Sequence, residues 1–198
     1  GLDVTDGDKH GPLFELGNGT ILYNLTIDYL NTPELGPTGE ERGVTFTGRV
    51  GLHASGKRDI IIENCRMTGS IGHHLRLQGC RAPKVIGCHI AGGHWSVYLS
   101  GVSGGVFRRC VVEKCQGDAI KTGGGARGCV RDMLIEECVF QDNLRDGIDC
   151  TGGFKNSIVR SCIFRRMGVS GMDIKAHYET KTGCIEDLPP ENVGILVE

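Results

Sequence analysis

The sequence predicts an all-β fold: a single-stranded, right-handed parallel β-helix of about seven coils over residues 1–198. Three observations predict it. A short pattern of alternating character recurs along the chain, an apolar–cysteine–apolar pattern recurs in step with it, and glycine returns at fixed places in the repeat.

The first pattern sets the first strand of each coil. One column is Leu52, Leu75, Val97, Ile120, Ile148 and Met172, and a second is Ala54, Leu77, Leu99, Thr122, Cys150 and Ile174. Both are small or apolar. The column between them, His53, Arg76, Tyr98, Lys121, Asp149 and Asp173, is polar or amphipathic. Period-two alternation is a strand with one wet face, and its return every 22 to 28 residues stacks the strands as rungs.

The second pattern sets the other two strands. Ile62, Val85, Phe107, Ile135 and Val159 are each followed three residues later by Cys65, Cys88, Cys110, Cys138 and Cys162. Two residues further on stand Met67, Ile90, Val112, Phe140 and Phe164, and Leu22, Leu25 and Ile27 fit an earlier rung. A spacing of three breaks strict alternation, which predicts a bend at Asn64, Gly87, Arg109, Glu137 and Ser161. Asn and Gly suit a left-handed backbone there; Arg and Glu suit it less well. Gly56, Gly79, Gly101, Gly124 and Gly152 mark the corner after the first strand. The hand of the coil is not in the periodicity and is expected from strand twist and crossover rules.

A solenoid has one continuous core and so reads as one domain. Both ends read as cut. No amphipathic helix precedes the first rung, and Asn192 to Glu198 reads as the start of another. The expectation is a segment of a longer chain, or a core capped by missing segments or an oligomer. A polar excursion covers residues 28–49, and a second, around Gly123 to Arg131, lengthens one coil to 28 residues. Loops beside one face commonly wall a cleft.

Net charge is −2, from 22 basic and 24 acidic residues, which points away from nucleic acid and anionic membrane as partners. No stretch approaches the ~18 apolar residues of a membrane span. Five of the ten cysteines share one inward column. In-register neighbours point the same way, so a ladder of stacked buried thiols is expected. Cys80, Cys115, Cys129 and Cys184 lie off it and are free to pair. No C-x-x-C occurs, which argues against zinc.

The chemistry is sought in the outward column. His53, Arg76, Tyr98, Lys121, Asp149 and Asp173 would form a line roughly 24 Å long on rung spacing. His74 and Ser96 flank it on one side, and Ser55, Gln78, Ser100, Thr151 and Lys175 on the other. An extended glycan would lie along such a strip, with Arg76 and Lys121 holding carboxylates or sulfates. The plainer alternative is that exposed strand positions are polar in any case. It weighs most at His53, Ser96, Ser100 and Gln78, and least at Lys121, Asp149, Asp173 and Lys175, where four charges meet across three rungs.

The coil pattern resembles the pectate-lyase-like superfamily of right-handed parallel β-helices over nearly the whole chain. That superfamily includes polysaccharide lyases, glycoside hydrolases, uronan epimerases and phage tailspikes. Arg145-Asp146-Gly147-Ile148-Asp149 is similar to the Asp-Asp-Gly-x-Asp calcium segment of family 9 pectate lyases. Asp146 and Asp149 match. Arg145 stands at the first Asp, and Lys121 where an acid one coil earlier completes the site. The resemblance implies calcium at Asp146 and Asp149, with Asp173 as a further carboxylate, a lysine base for which Lys175 is the candidate, and an acidic polysaccharide as substrate. It also implies an extracellular or cell-surface location, although a cysteine core fits a reducing compartment equally.

Three functions follow. The first is β-elimination on a polyuronate, with Lys121 or Lys175 as base and Arg76, Arg145 or calcium neutralising the carboxylate. Neighbouring carboxylates favour a protonated lysine, so this version expects calcium dependence. The second is a retaining glycoside hydrolase using Asp149 as nucleophile and Asp173 as acid. The third is a non-catalytic glycan-binding, adhesin or tailspike-like module in which these charges are ion pairs. Other motifs carry less. His73-His74 alternate on a strand and would not chelate one ion together. The glycines at 123–125 and 152–153 have no helix after them to receive a phosphate. His177 reads as a corner histidine.

Overall fold

Successive coils lay one strand each on three parallel sheets in this computed structural model, which describes residues 12–29, 50–69, 72–123, 128–174 and 196–197. The first sheet has seven strands: Phe14–Glu15, Val50–Ser55, His73–Gln78, Val97–Ser100, Ile120–Thr122, Ile148–Asp149 and Met172–Asp173. The second also has seven: Ile21–Tyr23, Ile61–Glu63, Lys84–Ile86, Val106–Arg108, Leu134–Glu136, Ile158–Arg160 and Leu196–Val197. The third has six: Thr26–Tyr29, Arg66–Gly69, His89–Ala91, Val111–Glu113, Val139–Gln141 and Ile163–Arg165. This is the predicted parallel β-helix, and all pairings are parallel.

The register is the one read from the sequence. His53 pairs with Arg76, Arg76 with Tyr98, Tyr98 with Lys121, Lys121 with Asp149 and Asp149 with Asp173. Glu15 extends the column by one rung beside His53. Val197 pairs with Val159, so the last described strand opens the next rung of the second sheet.

All five bends adopt the left-handed backbone, with φ of 51° at Asn64, 60° at Gly87, 53° at Arg109, 55° at Glu137 and 52° at Ser161. Arg109 and Glu137 do so despite a cost of about 1–2 kcal/mol each for an L side chain. The compensation is cooperative. The N–H groups of Asn64, Gly87, Arg109 and Glu137 each donate to the next coil, as Asn64 does to Ile86 at 2.9 Å and Arg109 to Glu136 at 3.1 Å. At the other corner Gly56, Gly79 and Gly101 are left-handed; in the Gly152-Gly153 pair it is Gly153 instead. Gly152 is needed for a different reason: a Cβ there would stand 2.8 Å from the Gly123 carbonyl carbon.

The core is a single buried cluster from Leu16 to Val159, and Phe107, Phe140 and Phe154 are its largest fully buried side chains. Each contributes roughly 1.5–3 kcal/mol of transfer free energy. The cysteine ladder is buried from Cys65 to Cys138 and half-buried at Cys162. Its thiols donate to carbonyls of the preceding coil, Cys88 to Ile62 and Cys110 to Val85, both at 3.4 Å. None of the nine described cysteines is joined in a disulfide, Cys80, Cys115 and Cys129 included; Cys184 lies outside the described residues. So do residues 30–49 and 124–127 of the two excursions. Past the second, Val130–Arg131 pairs with Phe154–Lys155.

Candidate functional site

The outer face of the first sheet carries the site, and the corner leading into that sheet completes it. His94 and Trp95 follow Gly92 and Gly93, whose φ values of 90° and 78° turn the chain from the third sheet into the first. Trp95 stacks on His73 (ring centroids 5.8 Å apart) and on Tyr98 (5.9 Å), and His94 lies against Trp95 at 5.1 Å. His73 also meets Tyr98 at 5.2 Å. Two glycines make room for these rings. A Cβ at Gly117 would stand 2.9 Å from Trp95 Cδ1, and one at Gly123 would stand 2.7 Å from Tyr98 Cζ.

Cations border this platform. The Arg76 guanidinium lies over the Tyr98 ring at 5.4 Å and the Lys121 ammonium over Trp95 at 5.3 Å. Their situations differ. Lys121 Nζ is bonded to Asp149 Oδ2, lies 3.6 Å from Asp118 Oδ2 and donates to Thr151 Oγ1 at 3.2 Å. Arg145 Nε is 3.7 Å from Asp118 Oδ1. Arg76, by contrast, makes no ion pair or hydrogen bond among the described residues, and its Nε is buried without a partner.

Behind Lys121 three carboxylates converge. Asp118, Asp146 and Asp149 are 0%, 1% and 0% exposed. One oxygen from each lies within 4.8 Å of the others. Asp149 Oδ1 accepts from the backbone N–H and the hydroxyl of Thr151. Asp118 Oδ1 accepts the Asp146 N–H at 3.2 Å, and Asp146 Oδ1 accepts the Ser170 N–H at 2.9 Å. Burial raises the Asp118 carboxyl above the ordinary aspartate range, against the opposing pull of Lys121.

Several site residues fall where the sequence put them and several do not. Arg76, Tyr98 and Lys121 are adjacent and half-buried on the outer face. His53 and Gln78 form a separate group: His53 Nδ1 meets Glu15 at 2.8 Å and its Nε2 meets Gln78 Oε1 at 3.1 Å. His74 does not face the strip. It is fully buried with the Tyr29 ring against it at 5.4 Å, and burial lowers it to about 4. A buried ring cannot touch a ligand on the surface. Arg145 is engaged by Asp118 rather than free for a carboxylate. Asp149 is fully buried, with both oxygens occupied, which leaves neither for attack on a sugar. In the carboxylate cluster the third acid is Asp118, not Asp173, which stays half-buried on the next rung. Lys175 and His177 lie outside the described residues.

Sequence reasoning missed Asp118, His94 and Trp95, and weighed His73 only as half of an alternating histidine pair. Asp118 had a signal, since it stands 28 residues before Asp146, one lengthened coil. The corner residues had none beyond Trp95 being the one tryptophan.

The donor set of Asp118, Asp146 and Asp149 is all oxygen, as calcium prefers. The Lys121 ammonium, however, sits on two of those three carboxylates. With that cation in place the residues do not fit a bound divalent ion.

The fold and this face define a parallel β-helix with an aromatic and cationic outer surface. The family description "right handed beta helix region" matches residues 38–184, about three quarters of the chain, and the chain belongs to that family, which makes the coil right-handed as expected. Comparison with curated proteins and with solved structures found no match.

Proposed function

We propose that the outer face of the first sheet binds an acidic polysaccharide. The observation that carries this is Arg76: a guanidinium laid on an aromatic ring, with no acid partner among the described residues, beside cations that are all paired. Stacked rings suit the apolar faces of sugars, and an unpaired guanidinium suits a uronate carboxylate or a sulfate. A chain lying along the rungs would rest on Tyr98 and Trp95, with its charge at Arg76. Such a ligand places the protein outside the cell or at its surface.

Cleavage by β-elimination is the finer reading of the same face. Arg76 is suited to neutralise the carboxylate next to the proton removed. Lys121 is a poor choice of base because its ammonium is held by Asp149 and Asp118, so the role falls to Lys175. Affinity electrophoresis of the whole chain through gels containing polygalacturonate, alginate, heparin or neutral dextran tests the binding. Retardation by one or more acidic gels but not by dextran, lost in Arg76→Ala and weakened in Tyr98→Ala, is the expected result. Equal mobility in all four gels would overturn it. The same samples, read for ultraviolet absorbance of unsaturated uronate ends, decide between binding alone and cleavage.

A further inference from the structure

We infer that Lys121 is a tethered cation standing in for a divalent ion among Asp118, Asp146 and Asp149, and that removing its ammonium turns these carboxylates into a metal site. Three carboxylates so close and so buried repel one another, and their shared environment demands positive charge. Two cations answer. Arg145 approaches only Asp118, from a side chain 39% exposed, while Lys121 reaches inward and bonds Asp149, with Asp118 at 3.6 Å.

The remaining features are those of a cation seat rather than a chance ion pair. Thr151 fixes Asp149 through both its N–H and its hydroxyl, and offers its own Oγ1 to the ammonium at 3.2 Å. Trp95 covers the ammonium at 5.3 Å. Asp146 Oδ2 is buried in the cluster's third residue and has no hydrogen-bond partner, so one oxygen donor remains unused by the lysine. An ammonium presents three donors and cannot gather every oxygen that a six- to eight-coordinate ion would. The two occupants exclude each other, and the covalently attached one cannot be removed by a chelator. This holds whether or not a glycan binds nearby, because its consequence is read from metal alone.

Trp95 supplies the readout, since it is the one tryptophan and lies beside the seat. Terbium(III), an oxygen-seeking calcium analogue, emits when excited through a nearby indole. The full chain is titrated with micromolar terbium as wild type, Lys121→Met, and Lys121→Met with Asp146→Asn. Wild type should give no sensitised emission. Lys121→Met should give saturable emission that excess calcium suppresses and the second substitution abolishes. Millimolar calcium should raise the melting temperature of Lys121→Met by several degrees and leave wild type unchanged. Calcium-suppressed emission from wild type would overturn the inference. So would a folded Lys121→Met that stays dark, or an unfolded one that calcium does not restore.

Discussion

Acidification from pH 7.5 to 5 should cost the protein about 4 kcal/mol of folding stability through two histidines, His73 and His74. Burial lowers each ring to about 4 from an ordinary 6.5. The sign follows from that direction. Between those values the unfolded chain binds protons that the folded chain refuses, so stability is full above pH 6.5 and is lost as pH falls toward 4. Each proton taken up only by the unfolded chain is worth about 1.36 kcal/mol per pH unit. At pH 5 each ring therefore contributes a loss of about 2 kcal/mol, and the combined slope approaches about 2.7 kcal/mol per pH unit. His94 is also lowered to about 4 and acts in the same direction, but its greater exposure keeps it out of the sum. Asp118 acts oppositely, because its raised value lets the folded state take up a proton first. The histidine share is therefore isolated by difference. Urea unfolding at half-unit steps from pH 7.5 to 4.5, followed by Trp95 fluorescence and far-ultraviolet circular dichroism, gives the wild-type slope. His73→Gln and His74→Gln should each lower stability at pH 7.5 yet flatten the slope between pH 6.5 and 5 by about half. A wild-type stability flat across that window, or slopes unchanged in both variants, would refute the burial argument.

Other outcomes follow from the same structure. Phe140→Ala should cost about 3–5 kcal/mol in urea unfolding, because Phe140 is fully buried and stacked on Phe164 at 5.0 Å. Glu137→Gly should raise stability by about 1 kcal/mol in the same assay, since it relieves an L side chain at φ 55° and gives up only an exposed contact with Arg109 at 4.0 Å. A thiol reagent applied to native protein should modify Cys129 and Cys162 while the seven buried thiols wait for unfolding; rapid modification of all described cysteines would contradict the ladder's burial.

Spacing alone determined the coil, its rungs, the vertical line from His53 to Asp173, the thiol ladder and the position of all five bends. These are legible because a strand's facing repeats every two residues and a solenoid copies each position one coil later. Even the two reluctant bends, Arg109 and Glu137, were marked by a three-residue step rather than by residue type. Only the tertiary structure decided what the side chains do once stacked. Tyr29 closes over His74, Lys121 leans down onto Asp149 and Asp118, and Trp95 swings in from a corner to meet Tyr98 and His73. Tyr29 with His74, Lys121 with Asp149 and Trp95 with His73 join different coils, while Lys121 with Asp118 and Trp95 with Tyr98 stand three residues apart in one; all are made by side chains that leave their own column. Column position records where a Cβ starts, while the reach of a lysine or an indole is settled by its neighbours' volume and charge.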